Sequence, residues 1–110
     1  MNFYIGNSID KIDIQGDNVK FSDELIDFIY KLSKQVSFDM SKLYEINPYE
    51  DVVVPANDLS QIIEICNYIL DGSLLQNFEE PDEGNLMVGN LVKFAREAIS
   101  KNVGLISIGD

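Results

Sequence analysis

The stretch DLSQIIEICNYIL, which runs from Asp58 to Leu70, decides the fold of this chain. Its apolar side chains recur at the i, i+3, i+4, i+7 spacing of a helix with one buried face. The apolar positions are Leu59, Ile62, Ile63, Cys66, Ile69 and Leu70. Asp58 and Gln61 match the capping-box pattern at the start of this helix, and Gly72 suits a left-handed cap at its end. The stretch therefore predicts an amphipathic helix that packs its apolar face on a core.

Two further helices are predicted on either side of this one. Ser22 suits the N-cap of the first, because its hydroxyl can accept a hydrogen bond from a free backbone N–H. The apolar positions of this helix are Leu25, Phe28, Ile29, Leu32 and Val36. The second helix is expected from about Leu86 to Asn102, and a short helical turn is expected from Asp39 to Tyr44. The positions that the second helix is expected to bury are Met87, Leu91, Phe94, Ala95, Ala98 and Ile99.

Short apolar segments near both ends of the chain predict a small sheet. Asn2–Ile5 and Val103–Ile108 are rich in strand-forming residues, and we expect these two strands to pair. Val52–Val54 is a β-branched run that predicts another extended segment, and Lys11–Ile14 alternates in the manner of a short strand. Residues 1–110 are therefore predicted to form a single compact α+β domain. About three helices would pack on a small sheet formed by the N-terminal and C-terminal strands.

Composition indicates a cytoplasmic protein. The 110 residues are 45% hydrophobic, which is enough for a core without covalent staples. Cys66 is the single cysteine, so no internal disulfide can form. The N-terminal residues lack a basic segment followed by a long apolar run, so no secretory signal is predicted. No stretch approaches the roughly 18 consecutive apolar residues of a membrane span.

The net charge limits the partners that the chain can bind. Its 19 acidic and 8 basic residues give a formal charge of −11. Binding to nucleic acid normally needs lysine and arginine on the phosphates, and anionic membrane surfaces repel such a chain as well. We therefore expect neither nucleic acid nor a membrane as partner.

The negative charge is concentrated in the middle of the chain. Residues 43–92 contain ten acids and no lysine or arginine, whereas the remaining sixty residues carry a net charge of −1. Its densest part is NFEEPDEG, from Asn77 to Gly84, which we interpret as an acidic loop. Such a loop is either solvated surface or a surface for a positively charged partner. Aromatic residues nearby could anchor an interface, although Tyr44 and Tyr49 could equally pack in the core and core packing is favoured for Phe78.

Enzymatic chemistry finds little support in the sequence. Histidine is absent, which removes the usual general base and imidazole metal ligands. Cys66 lies within an apolar helix face and is expected to be a core residue. The segment Asp10–Asp17 fails the EF-hand pattern, because Ile12 and Ile14 occupy ligand positions. Paired acids occur by chance among so many carboxylates, and no tryptophan offers a sugar platform. We expect a non-enzymatic protein without catalytic residues, cofactor or dedicated metal site.

Three stretches resemble small bacterial immunity proteins of polymorphic-toxin and contact-dependent growth-inhibition systems. They are LYEINPYEDVVVP (Leu43–Pro55), DLSQIIEICNYIL (Asp58–Leu70) and LVKFAREAISKNVGLISIGD (Leu91–Asp110). The resemblance implies an inhibitor that binds one cognate toxin domain in a 1:1 complex. Such a domain forms the C-terminal part of a large effector and is commonly a basic nuclease. No binding residues carry over from the family, because each toxin and immunity protein form a private pair.

The charge distribution therefore supplies the predicted interface. We expect it to contain Tyr49, Glu50, Asp51, Phe78, Glu79, Glu80, Asp82 and Glu83. Two alternatives remain open from the sequence. One is an acidic mimic of nucleic acid, of the phage anti-restriction type, and the other is an interaction subunit without inhibitory activity.

Overall fold

The computed structural model describes residues 1–109, so that Asp110 of the C-terminal Gly-Asp pair lies outside the described residues. Four strands form one antiparallel sheet: β1 (Asn2–Ile5), β2 (Val19–Lys20), β3 (Val52–Val54) and β4 (Leu105–Ile108). Their order across the sheet is β2-β1-β4-β3. The predicted pairing of the two terminal strands is confirmed, with Phe3 opposite Ser107 and Tyr4 opposite Ile106.

Four helices complete the α+β domain: α1 (Asp23–Ser33), α2 (Ser41–Tyr44), α3 (Leu59–Asp71) and α4 (Pro81–Ser100). Short 3-10 turns occupy Ile9–Lys11 and Ala56–Asp58. The predicted α+β class is confirmed. The expected buried face of α3 is also largely confirmed, because Leu59, Ile62, Cys66 and Ile69 are all buried.

The sheet has one face toward the helices and one face covered by a loop. Side chains alternate along a strand, so Phe3, Val54 and Leu105 enter the core that the helices share. Tyr4 and Ile106 project to the opposite side. There the Tyr4 hydroxyl donates a hydrogen bond to the Ile14 carbonyl at 2.9 Å. The segment of residues 7–18 thus shields this second face.

That segment contains one wrong prediction. Lys11–Ile14 does not form a strand, because the chain makes a 3-10 turn at Ile9–Lys11 and continues across the sheet without pairing. The second strand lies later, where Val19 is opposite Phe3 and Lys20 is opposite Asn2. The alternation does not mark strand pairing: Ile12 is half-buried, whereas the Ile14 side chain is 66% exposed and its backbone carbonyl meets the Tyr4 hydroxyl.

The ends of the helices differ from the predictions at several positions. Ser22 caps α1 as expected, its Oγ accepting a hydrogen bond from the Leu25 N–H at 3.2 Å. The capping box at Asp58 is wrong, since this side chain makes no capping bond and instead pairs with Lys42 at 3.5 Å. The left-handed cap at Gly72 is also wrong: its φ is −87°, and Ser73 adopts the positive φ of 51°.

Helix α4 starts five residues earlier than predicted, at Pro81 and not Leu86. Met87, Leu91, Ala95 and Ala98 are buried as expected, and Phe94 is half-buried. Ile99 is exposed, so its predicted burial is wrong. The early start places the densest acidic residues at a helix terminus.

Candidate acidic partner-binding site

The acidic stretch is the beginning of a helix and not a loop through Gly84. Glu80 immediately precedes α4, Pro81 is its first residue, and Asp82 and Glu83 lie in its first turn. Proline suits this position because its missing N–H would have no partner there. Carboxylates near a helix N-terminus are stabilised by the positive end of the helix dipole. This local effect explains part of the acidic clustering without any partner.

Phe78 is held in place between two helices. Its ring packs edge-to-face on Phe28 of α1, with the ring centroids 5.2 Å apart. On the other side lies Gly84 of α4, where an added Cβ would come within 3.0 Å of Phe78 Cδ2 and 3.1 Å of Leu75 Cδ1. A glycine is therefore needed for the close approach of this ring to α4. Phe78 is half-buried, so it serves the core while part of it stays accessible.

A surface cavity of about 250 Å³ opens beside Phe78. Its carboxylates come from two places in the chain: Glu24 lies on α1, and Glu79, Glu80 and Glu83 belong to the acidic stretch at the start of α4. Phe78 and Met87 supply apolar surface, and Ser22 and Lys20 complete the lining. The volume is below the roughly 300–1,000 Å³ of small-molecule sites, and it suits a single long side chain better than a whole ligand. We call this cavity the acidic pocket.

The carboxylates of the acidic pocket interact with one another. A hydrogen bond that protonated Glu80 donates to the Glu83 carboxylate, followed by the negative charge of Glu83, raises the pKa of Glu80 above its ordinary value. The neighbouring charge of Glu79 acts in the same direction. Lys20 lies at the same cavity, yet within residues 1–109 it forms no ion pair with these carboxylates at 4.0 Å or less. Four acids thus face one base, and the excess negative charge favours an incoming cation.

The other half of the predicted site is a rigid turn. Asn47 Oδ1 accepts a hydrogen bond from the Tyr49 N–H at 2.9 Å, which holds the Asn-Pro-Tyr turn. The carboxylate of Asp51 accepts the Gly109 N–H at 3.0 Å and fastens the C-terminal end of the chain beside the turn. Tyr49 remains 68% exposed. Asp51 therefore has a structural role, while the side chains of Tyr49 and Glu50 are exposed.

The structure does not bring the two halves together. Tyr49, Glu50 and Asp51 precede β3, whereas the acidic pocket includes Lys20 of β2. These strands form opposite edges of the sheet. Three strand spacings separate them, or about 14 Å in the plane of the sheet. The acidic middle of the chain is thus divided between two surfaces.

Sequence reasoning missed four residues of the acidic pocket, which are Lys20, Ser22, Glu24 and Met87. Lys20 and Glu24 lie outside the acidic middle of the chain. Lys20 reaches the pocket through the pairing of β2 with β1, and Glu24 reaches it on α1, whose Phe28 packs on Phe78. The sequence does contain a pattern that indicates the position of Met87. Pro81 followed by Asp82 and Glu83 is typical of a helix start, and it places Met87 one turn beyond Glu83 on the same face.

The described residues offer little for other chemistry. Cys66 is buried, which raises the pKa of its thiol to about 12 and leaves it unreactive near neutral pH. Within residues 1–109, no group of three or more histidine, cysteine or carboxylate side chains could hold a metal ion. The same residues contain no helix long and apolar enough to cross a membrane.

Comparisons with protein-family models, with curated proteins and with solved structures find no match to this chain.

Proposed function

We propose that this protein is an immunity-type inhibitor that binds a basic toxin domain inside the cell that produces it. One observation carries the proposal: four carboxylates surround the apolar surface of Phe78 and Met87, with Lys20 as the single base. The resemblance of three stretches to immunity proteins supports it independently. The inhibitor acts by binding alone and has no catalytic role.

The acidic pocket suggests how such a complex forms. An arginine or lysine of the toxin would enter the pocket, with its charge among Glu24, Glu79, Glu80 and Glu83. Its aliphatic stem would lie on Phe78 and Met87, and a guanidinium can also stack on the Phe78 ring. In a nuclease such cations hold substrate phosphates, so their capture would block the active site. The negative surface would also raise the association rate, by about 10–10³-fold.

Tyr49 and Glu50 provide a second contact in this proposal. A standard interface covers about 800 Å² on each partner, which is wide enough to extend past the ~14 Å between the two sheet edges. Tyrosine is among the residues that most often dominate the binding energy of an interface. Asp82 lies in the first turn of α4 but does not line the pocket, so we expect it to contribute to steering and not to close contact.

The test is capture of the partner from the organism that encodes the chain. The tagged protein is washed at low salt and eluted at high salt, and the eluted proteins are identified by intact mass. The proposal predicts one basic protein in 1:1 ratio, whose degradative activity disappears when this chain is added. Many unrelated DNA-binding proteins would instead indicate a nucleic-acid mimic. An empty eluate from cells that express the candidate toxin would contradict the proposal.

A charge-matched pair of variants separates the pocket from general acidity. The pocket variant carries Glu24→Gln, Glu79→Gln, Glu80→Gln and Glu83→Gln. The remote variant loses the same charge through Asp10→Asn, Asp13→Asn, Asp17→Asn and Glu97→Gln. Glu97 lies fourteen residues beyond Glu83 on α4, about 21 Å along the helix. The pocket variant should lose the captured protein, and the remote variant should retain it.

A further inference from the structure

The free edge of the sheet at β3 has backbone groups that point away from the protein. Hydrogen bonding alternates along an antiparallel pair, so each residue of a central strand bonds to one side. The Gly6 N–H donates to the Gly104 carbonyl at 3.0 Å. By the alternation, the backbone N–H and C=O groups of Ile106 and Ile108 in β4 also face β1. The residues between them, Leu105 and Ser107, therefore bond to β3.

This alternation fixes the direction of each β3 residue. Val54 is opposite Leu105 and Val52 is opposite Ser107, so both bond inward to β4. Val53 lies between them, and its N–H and C=O point to the open side of the edge. Within residues 1–109 no strand other than β4 pairs with β3. The Val53 side chain is 42% exposed, on the sheet face opposite the core.

A cleft of about 160 Å³ follows this edge and separates it from α2. Ile46 and Val52 give it apolar walls, and Glu45 and Asp58 give it carboxylates. Lys42 is the one base lining the cleft, and it pairs with Asp58 at 3.5 Å. Glu50 and Asp51 lead into β3 and add two more exposed acids. The edge is therefore bordered by several carboxylates, and Lys42 of the cleft neutralises only part of their negative charge.

We propose that the β3 edge binds an extended, lysine- or arginine-bearing segment of another protein, which adds as a strand beside Val53. Backbone bonds to Val53 would set its register, and charge complementarity to Glu45 and Glu50 would select basic side chains. A second copy of this chain fits poorly, since it would bring the same acids together. Pro55 has no N–H to offer, so the added strand is short. The inference concerns the sheet edge opposite the acidic pocket and does not depend on toxin binding.

Synthetic peptides test the inference on the full chain. The probe is an eight-residue peptide of alternating lysine and valine, with both ends blocked. One control replaces each lysine with glutamate, and another carries N-methyl groups on alternate backbone nitrogens. Amide NMR should show the lysine peptide shifting and protecting the Val53 N–H. The glutamate peptide should not bind, and the N-methylated peptide should bind about tenfold more weakly because backbone bonds are lost.

Variants of the chain locate the binding. Val53→Pro removes the outward N–H without removing a bond to β4, so the fold should persist while affinity falls about tenfold. Val53→Thr keeps the backbone and should bind as the natural chain does. Glu45→Gln should weaken binding and reduce its salt dependence. The four-amide variant of the acidic pocket should bind the peptide with unchanged affinity.

Several results would overturn the inference. Shifts confined to the acidic pocket, or no binding at millimolar peptide, would exclude the β3 edge as a docking surface. Equal affinity of the N-methylated and unmodified peptides would exclude strand addition, even if Val53→Pro failed to fold. Concentration-dependent pairing of the chain with itself, with Val53 protected and no peptide present, would identify a second copy as the occupant and refute a basic partner.

Discussion

Asp51 and Gly109, which lie 58 residues apart in the sequence, are joined by a hydrogen bond. The Asp51 carboxylate accepts the Gly109 N–H at 3.0 Å. Gly109 also packs tightly on the turn, because a Cβ added there would lie 2.5 Å from the Glu50 nitrogen. Two motifs of the immunity-like resemblance, the Asn-Pro-Tyr turn and the C-terminal glycine, therefore form one structural unit. This unit presents Tyr49 on a rigid base.

Replacing Asp51 should test whether its role is structural. Asp51→Ala removes the acceptor for the Gly109 N–H and should lower the free energy of unfolding by about 1 kcal/mol. Asp51→Asn keeps an acceptor oxygen and should lower the free energy of unfolding much less, although it removes the same charge. Urea unfolding of both variants measures the difference. Equal losses would show that the charge of Asp51, and not its hydrogen bond, stabilises the fold.

Two glycines should respond oppositely to the same substitution. At Gly104 an added Cβ would lie 2.2 Å from the Val54 carbonyl oxygen, so Gly104→Ala must displace β3 and should cost about 1–3 kcal/mol. At Gly89, inside α4, an added Cβ meets nothing within 4 Å. Gly89→Ala should stabilise the protein by about 0.5–1 kcal/mol through helix propensity. Thermal unfolding of the two variants measures whether each substitution lowers or raises stability. A Gly104→Ala variant more stable than the natural chain would refute the described packing of β3 on β4.

The contribution of the Ser22 N-cap of α1 to the stability of the fold should be measurable with two substitutions. Ser22→Ala leaves the Leu25 N–H without its acceptor and should cost about 1 kcal/mol. Ser22→Asn supplies another capping oxygen and should restore most of that loss. Both residues are small, so the packing around α1 stays comparable. A chain that tolerates alanine as well as asparagine would show that this cap contributes little to stability.

The raised pKa of Glu80 should make folding weakly pH-dependent. Because the folded state holds this proton more tightly than the unfolded state, stability should fall as pH rises from the ordinary glutamate pKa through the folded value. Glu83→Gln removes the charge that opposes ionisation and should move the pKa of Glu80 back down. Carboxyl carbon NMR titration follows Glu80 directly in both proteins. An unchanged Glu80 titration in the variant would show that Glu83 is not the cause.

The elements that sequence predicted best are those with long apolar periodicity. Helix α3 and the pairing of β1 with β4 followed from the spacing of Leu59, Ile62 and Ile69 and from the two terminal apolar runs. Lys11–Ile14 is not a strand although its apolar residues alternate, because the segment leaves a 3-10 turn and Ile14 is held to Tyr4 through its carbonyl while its side chain is exposed. The start of α4 differs from the prediction because Pro81, Asp82 and Glu83 form the first turn of the helix and not part of a loop.

The candidate site was predictable only in part. Phe78, Glu79, Glu80 and Glu83 do line one cavity, as their closeness in sequence suggested. Lys20 reaches the cavity through the pairing of β2 with β1, and Glu24 reaches it through the packing of α1 on Phe78. Local spacing reveals neither of these long-range contacts. The separation of Tyr49 from this cavity depends on the strand order, which likewise has no local signature.

The most direct test of the central claim is the association rate of the captured basic partner, measured by stopped flow across a range of salt concentrations. The natural chain and the remote variant should associate rapidly at low salt and slow steeply as salt rises. The pocket variant, with Glu24, Glu79, Glu80 and Glu83 changed to glutamine, should associate at least about tenfold more slowly at low salt, with a flatter salt dependence. A pocket variant that associates as fast as the natural chain at every salt concentration would contradict the account.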